Sequence, residues 1–478
     1  MKNILLTFIV FGIVPFLGHS QTAEKKYTLV ITHANIVDVL HNKIISGRLL
    51  AVSNDTIRAI DDIKQLGKYK AEQYVNADGK YVLPGLWDMH VHFRGGDTLI
   101  NENKALLPLF LAYGVTTVRD CGGDITPAVL QWRAQIESGS LAGPKIFTSG
   151  PKIDGLDGGW PGSLKVETDD DISKALDSLQ KLGVDYVKIY NASISREAYL
   201  NVIAEAERRG MKTTGHLPVT VKAAEAAQAG LDAIEHMLFV FVATSSKEDS
   251  ITDAAQKAYE HGKPLNIFSV LPIAYATYNE RSASNLFLTL VKHHTAVVPT
   301  LYVMKTGVAE LKESDHSHDS LLSYIDPKIQ ATYQGRVNAA KQQSDESIRL
   351  YKNLYLKYAL MIPQMQAAGV VLLAGSDCGP FNSFTYPGYS LHEELKLMVA
   401  AGLTPAQALR TSTINGAKFM GVDNFYGTLQ TGKSADLIIL EDNPLLDINA
   451  VDHINMVLSN GKLYSKNDLN MLLRSIKH

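Results

Sequence analysis

Two cysteines, Cys121 and Cys378, in 478 residues leave no material for a disulfide framework or a cysteine-rich zinc module. Charge of one sign is also missing: 46 basic against 49 acidic residues give a formal net charge of −3. No basic run is long enough to follow a phosphate backbone, so nucleic acid is not an expected partner. With 17 Pro and 35 Gly, and no repeat or low-complexity segment, the chain is neither disordered nor fibrous in composition. Beyond the first twenty residues no apolar run approaches the roughly 20 residues that span a bilayer, so no later membrane span is expected. What is present is 46% hydrophobic residues, enough for a large core in two or three folding units.

The N-terminal stretch MKNILLTFIVFGIVPFLGHSQ carries Lys2, an apolar run over residues 4–17, and the small residues Gly18 and Ser20 before Gln21. That is the pattern of a cleaved secretory signal, residues 1–20, and it predicts a periplasmic or secreted protein. From 27 to about 83 the chain reads as short β-rich runs broken by Asn, Asp and Gly, and the same texture returns after Gly421. Both flanks are too small to fold alone. The expectation is one composite β-sandwich built from residues 21–83 and 421–478.

Between them, over 84–420, short buried-looking runs alternate with amphipathic helical stretches. The strand candidates are LWDMHVHF, VTTVRD, KIFTSG, DYVKIYN, KTTGHL, DAIEHM, AVVPTL and VVLLAGSD, which is the number that closes a parallel barrel. DDDISKALDSLQKLG, with acids in its first turn, an apolar face at Ile172, Leu176, Leu179 and Leu182, and Gly183 as stop, is representative of the helices. The fold class is therefore α/β, a (β/α)8 TIM barrel with the small β domain attached. Insertions over 240–294 and 302–361 interrupt the rhythm and are expected over the C-terminal mouth, as a lid or specificity region.

Asp88-Met89-His90-Val91-His92 lies on the first barrel strand. Residues two apart share a strand face, so His90 and His92 point the same way and can chelate one ion. Alone, a His-x-His pair is weak. It gains weight from Lys188, His216, His236 and Asp377, each at the C-terminal end of a later strand, where barrel enzymes place their chemistry. Singly, these residues could be a snorkelling lysine, a helix-entry or core histidine, and a helix N-cap; the shared register argues against four separate accidents.

With these residues and the segments VLPGLWDMHVH, GVTTVRDCGG, LHEELKLMVAAGLTPAQALRTSTINGAKFMG and GTLQTGKSADLIILEDNP, the chain resembles the amidohydrolase superfamily over nearly all of its mature length. Within it, the chain resembles the group of imidazolonepropionase-like and Xaa-Pro dipeptidase-like metal-dependent hydrolases. The resemblance implies a binuclear centre. His90, His92 and Asp377 would hold one divalent ion, His216 and His236 the other, and Lys188 would bridge them as a carbamate, with a hydroxide shared between the ions. Zn2+ suits such N,O ligands, with Mn2+, Co2+ or Fe2+ also compatible. Asp377 would act as ligand and as proton shuttle, from the attacking water to the leaving nitrogen.

The reading that follows is an exported enzyme hydrolysing a C–N amide bond in a small molecule, with dipeptides or N-acyl amino acids first. Cyclic amide or imide hydrolysis and a non-catalytic binding barrel are the alternatives. Arg94 and Tyr190, each two residues beyond a ligand candidate, are candidates for substrate binding, Arg94 toward a carboxylate. Arg119 and Asp120 read as a structural pair, and His392, Glu393 and Glu394 as the start of a structural helix. His316 and His318 imitate a metal motif in a polar loop and read as a solvated face. His293 and His294 lack a partner, and neither Ser149 nor Ser376 has the setting of a serine nucleophile. Homo-oligomerisation is left open.

Overall fold

The computed structural model describes residues 26–478; the expected export signal lies outside the described residues. Among the described residues, seventeen strands form three hydrogen-bonded sheets. The first contains β1 (Lys26–Asp38), β2 (Lys43–Ser53), β3 (Thr56–Asp62), β4 (Lys70–Asn76) and β5 (Tyr81–Pro84). The last three strands of the chain, Leu437–Leu440, Ile454–Ser459 and Lys462–Ser465, complete it. The two chain ends meet at β5, which runs parallel to β1 (Ile36 opposite Val82) and antiparallel to the Leu437–Leu440 strand (Ile439 opposite Val82). Their shared core includes Leu29, Ile31, Leu50, Val52, Val82, Leu437 and Ile439.

Where two packed sheets were expected, the hydrogen bonds run through one eight-stranded sheet. It forks at β1, a thirteen-residue strand whose first half pairs with β4 and second half with β5. Register shifts between Ile31 and Ala34 and between Ala34 and Ile36 bend β1 enough to serve both neighbours.

The barrel-like part uses short parallel strands: β6 (Leu86–Val91), β7 (Val115–Asp120), β8 (Lys145–Thr148), β9 (Ile153–Asp154), β10 (Leu164–Lys165), β11 (Val187–Ile189), β12 (Thr213–Gly215), β13 (Ala233–Glu235) and β14 (Ala296–Val298). β6, β7 and β8 form one sheet, and β10-β9-β11-β12-β13-β14 another. The small pair β9 and β10 was not foreseen. This is a TIM-barrel-like α/β fold with a separate β domain. The expected eighth strand, VVLLAGSD, makes no ladder and touches its neighbours through single bridges, Leu372 to Val297 and Cys378 to Val91. Backbone bonds from Met89 N to Ala374 O (2.8 Å) and Asp377 N to His90 O (2.7 Å) hold it beside β6. Gly375 explains the close approach: a Cβ there would lie 2.7 Å from that of His90.

Helices follow the strands. Asp169–Leu182 begins in a capping box made by Thr168 and Asp171 and ends at Gly183 with φ 66°. Ile172, Leu176 and Leu179 are buried as expected, but Leu182 in the last turn is 38% exposed, because the helix has already run past the surface it packs on. The two insertions are mostly helical, and their longest helix is Asp345–Ala368. Among the described residues no helix is long and apolar enough to cross a membrane.

Candidate metal centre and substrate cavity

β6 places His90 and His92 side by side, with their Nε2 atoms 3.2 Å apart. Asp377 brings a carboxylate oxygen to 2.9 Å from His92 Nε2 and 3.5 Å from His90 Nε2. Across from them His216 and His236, just after β12 and β13, bring their Nε2 atoms within 3.0 Å of each other. The His90 and His236 rings are 4.7 Å apart. Lys188, in the middle of β11, is fully buried and its Nζ has no hydrogen-bond partner. All six expected residues thus converge at the C-terminal end of the strands.

The protonation of these groups follows from their neighbours. His90 Nδ1 lies 2.6 Å from Glu235, an obligate acceptor when ionised, and His216 Nδ1 lies 3.3 Å from the Asn191 amide oxygen. Both rings are therefore assigned as Nδ1–H tautomers, which leaves bare lone pairs on the inward Nε2 atoms. Burial lowers the pKa of all four histidines, that of His236 to about 3, so they stand as neutral imidazoles. Burial also lowers the Lys188 pKa, which favours a neutral amine. For Asp377 burial works the other way, but hydrogen bonding to His92 and the nearby histidines win, and its carboxyl is held well below the usual range. Neutral imidazoles, with free Nε2 lone pairs on His90 and His216, an ionised carboxylate and an unpartnered buried amine are a donor set that fits divalent cations.

Three residues here adopt left-handed backbone angles that favour glycine: His236 (φ 69°), Thr300 (φ 49°) and Asp377 (φ 56°). Thr300 Oγ1 sits 2.7 Å from His236 Nδ1. Strain concentrated on the residues that point into a site marks geometry held for chemistry.

Glu235 is the main residue that sequence reasoning missed. It lies fully buried between Arg119 (2.6 Å) and His90 (2.6 Å), and coulombic attraction to Arg119 overcomes its burial to keep it ionised. This corrects the reading of Arg119 and Asp120 as a pair. Arg119 donates to Glu235 and to the Met89 carbonyl, whereas Asp120 accepts from Phe93 N, Gly122 N and Thr148 Oγ1. Successive strand residues face opposite ways, so these two could not pair within β7. Asp88 is also placed by the fold: it accepts from Ser376 N and Oγ, and so ties β6 to the Asp377 segment.

Over the centre lies a cavity of about 510 Å3 lined by His92, His216, His236 and Asp377 below, and by Arg94, Trp160, Tyr190 and residues 264–268 of the first insertion. Arg94 is buried and donates to the Pro380 carbonyl (2.8 Å) and the Asn382 amide oxygen (3.0 Å), with its guanidinium 4.4 Å from the Trp160 ring. Lys152, buried behind the lining, lies 5.0 Å from the same Trp160 ring and 5.9 Å from that of Tyr190, and burial lowers its pKa to about 7. Arg336, from the second insertion, donates to the same Asn382 oxygen (2.7 Å). Among the described residues none of these three cations has an ion pair within 4.0 Å. Tyr190 packs its ring 4.5 Å from that of His216.

The remaining candidates fall outside. His392, in the first turns of the helix Tyr389–Ala400, is buried against Asp452 (3.0 Å) and the Tyr113 carbonyl (2.8 Å) and is not part of the cavity lining. His316 is half-buried, stacked on Phe384 at 4.0 Å, while His318 is exposed. Neither joins the histidine cluster.

A TIM-barrel-like frame with buried histidines, a lysine and an aspartate at its strand ends defines a metal-dependent hydrolase architecture. The chain belongs to the amidohydrolase family, which it matches over residues 81–464. It is similar to ochratoxinase from Aspergillus niger, 22% identical over 438 residues that cover 80% of this chain and 75% of that protein. Among solved structures it resembles a Xaa-Pro dipeptidase with bound methionine in its active site, at TM-score 0.65 and 20% identity, over 91% of this chain and 99% of that one. It also resembles a bottromycin amidohydrolase at TM-score 0.71 and 20% identity, over 94% and 90% of the two chains. At these identities the structural likeness is one of fold.

Proposed function

We propose that the protein hydrolyses the amide C–N bond of a small molecule of the dipeptide or N-acyl amino acid class with a centre of two divalent ions, Zn2+ first among the candidates. His90, His92 and Asp377 would hold one ion, His216 and His236 the other, and Lys188, carrying CO2 as a carbamate, would supply an oxygen to each. When bound, such ions polarise the scissile carbonyl and lower the pKa of water toward neutrality. The observation that carries the reading is the meeting of bare Nε2 lone pairs with the unpartnered Lys188 amine beneath a cavity whose lining holds Arg94 and Arg336 without an ion pair among the described residues.

The chain's own residues then divide the work. Asp377, an ionised carboxylate at the cavity floor, accepts the proton of the attacking water and returns it to the departing nitrogen. Asn382 donates to its Oδ1 at 2.7 Å and fixes its orientation. Arg94 and Lys152, buried on the Trp160 face, attract the substrate carboxylate, and Tyr190 offers a phenol hydrogen bond beside it. Glu235 keeps His90 in the tautomer that presents its lone pair.

The same proposal takes the eight barrel segments as one closed (β/α)8 unit over 84–420, flanked by the composite β domain of 21–83 and 421–478. It takes residues 1–20 as an export signal to the periplasm or medium. The test is to load the purified protein with Zn2+ or Mn2+, measure ions per chain, and screen dipeptides, N-acyl amino acids, lactones and cyclic amides. Two ions and cleavage of acyclic amides are expected; turnover confined to cyclic amides or lactones, or no bound metal, would overturn the reading.

A further inference from the structure

A second chamber of about 420 Å3 adjoins the first and shares five residues with it: Leu238, Phe268, Met304, Arg336 and Asp377. Its remaining wall comes mostly from the second insertion, with Val303, Val308, Leu354 and Tyr358 among the side chains. A π-helical turn at Thr306–Glu310 shapes it and sets Gly307 and Val308 in its lining. Among the described residues Asp377 is the single carboxylate in the lining of either chamber, and the seam between them carries a cation, Arg336.

Resting on the amide-hydrolase reading, we infer that this chamber is the acyl pocket and that the substrates are N-acyl amino acids with a large apolar acyl group and no free α-amine. The carboxylate end faces Arg94 in the first chamber, the scissile amide lies over Asp377, and the acyl chain runs past Met304 into the second chamber. The charge pattern excludes a dipeptide with a free terminus: its α-ammonium would enter an apolar chamber beside Arg336, with no acid to pair with except the one at the centre. An acyl chain meets mostly apolar walls, with Arg336, Gln343 and Asp377 the charged or amide side chains among them, and gains about fourfold in affinity for each methylene it buries.

The experiment uses the metal-loaded protein and a series on L-phenylalanine, chosen because Trp160, Phe239 and Phe381 line the first chamber. The acyl groups are acetyl, butanoyl, hexanoyl and octanoyl. Norleucyl-phenylalanine, which is hexanoyl-phenylalanine with an added α-ammonium, is the comparator. Binding of the uncleavable methylsulfonyl- and octylsulfonyl-phenylalanines, read by calorimetry, runs in parallel. The inference expects kcat/KM to rise about fourfold per methylene until the chamber is full. Hexanoyl should exceed norleucyl tenfold or more, and the octylsulfonyl compound should bind more tightly than the methylsulfonyl one. Amides cleaved without chain-length dependence, or norleucyl preferred, would overturn the inference and leave the amide-hydrolase reading in place. Chain-length-dependent binding with no cleavage would remove the hydrolase reading and keep the pocket. Neither binding nor cleavage would remove both.

Gly307 gives an independent handle. A Cβ there meets nothing nearer than Arg336 Nη1 at 4.0 Å, and the backbone is not left-handed. Gly307→Leu therefore intrudes on the chamber without backbone strain and with better helix propensity. The octanoyl-to-acetyl ratio of kcat/KM should fall tenfold or more in Gly307→Leu and by less in Gly307→Ala, with the melting temperature confirming folding. Gly307→Ala carries the test if the leucine variant does not fold, and an unchanged ratio in the folded variants overturns the assignment.

Discussion

Glu235→Gln separates a positioning role from a merely structural one. The wild-type carboxylate accepts from two donors at once, Arg119 Nη2 at 2.6 Å and His90 Nδ1 at 2.6 Å, in surroundings with no solvent exposure. A glutamine of the same size keeps one oxygen and replaces the other with a donor. If the oxygen stays with Arg119, the new NH2 faces His90 Nδ1, which must give up its proton to accept. The ring then carries N–H on Nε2, pointed at His92 and Asp377, and its ligand lone pair is lost. If the oxygen turns to His90, a buried guanidinium is left facing an N–H donor. Either way Arg119 loses its counter-charge, which for a buried pair costs about 3–5 kcal/mol. Loss of the residue that orients a ligand histidine typically weakens metal binding by about 10–100-fold.

Chelator-treated protein unfolded in urea isolates the stability loss from metal linkage, and titration with buffered Zn2+ reads the affinity. Adding Arg119→Met should recover much of the stability, because it removes the stranded cation, and part of the metal affinity, because the glutamine oxygen is then free to accept from His90 Nδ1. Native Zn2+ affinity in Glu235→Gln would refute the reasoning.

Much of the site was legible because barrel chemistry sits at strand ends. His90, His92, Lys188, His216, His236 and Asp377 could be found from short apolar runs and the residue that closes each. Glu235 escaped because it directly precedes His236 and was read as part of the strand, although a charged residue inside a short buried run needs an opposite charge elsewhere. Arg119, in a similarly buried run, was that charge, and sequence adjacency to Asp120 disguised it. Lys152, Asn382 and Arg336 come from a loop and an insertion, where no periodicity says which side chains turn inward. The β domain was legible as two β-rich flanks. That they share one sheet depends on β5, four residues long, pairing with β1 and with the Leu437–Leu440 strand, a long-range match with no local signal. The eighth strand was overread: Gly375 lets that segment press against His90, and scattered backbone bonds and single bridges hold it there without a ladder.

Acidification should destabilise the protein. The four site histidines have folded pKa values below the ordinary 6.5, so the unfolded chain takes up their protons first. Stability present above pH 6.5 is lost as pH falls, by up to about 1.4 kcal/mol per unit for each histidine; urea midpoints that stay flat from pH 7 to 5 would contradict this. Lys188→Ala should lose most activity and metal, with partial rescue by a short-chain carboxylic acid, while the metal-free protein keeps its stability because the amine has no partner to lose; full activity with normal metal content would remove the bridge. Asp377→Asn tests the proton relay. Asparagine tolerates the left-handed backbone at this position (φ 56°), and its side-chain oxygen can still reach His92, so the fold and much of the metal should persist. What it cannot do is take a proton from water and give it to a leaving nitrogen. That loss acts mainly in the transition state, so kcat and kcat/KM should fall together by about 100-fold or more, with metal content reduced less than in His90→Ala. A residue that only caps the end of its segment would behave otherwise, since Asn caps as well as Asp: a small change in melting temperature and near-native turnover. Native kcat in Asp377→Asn would remove this carboxylate from the chemistry, whatever its place beside His92.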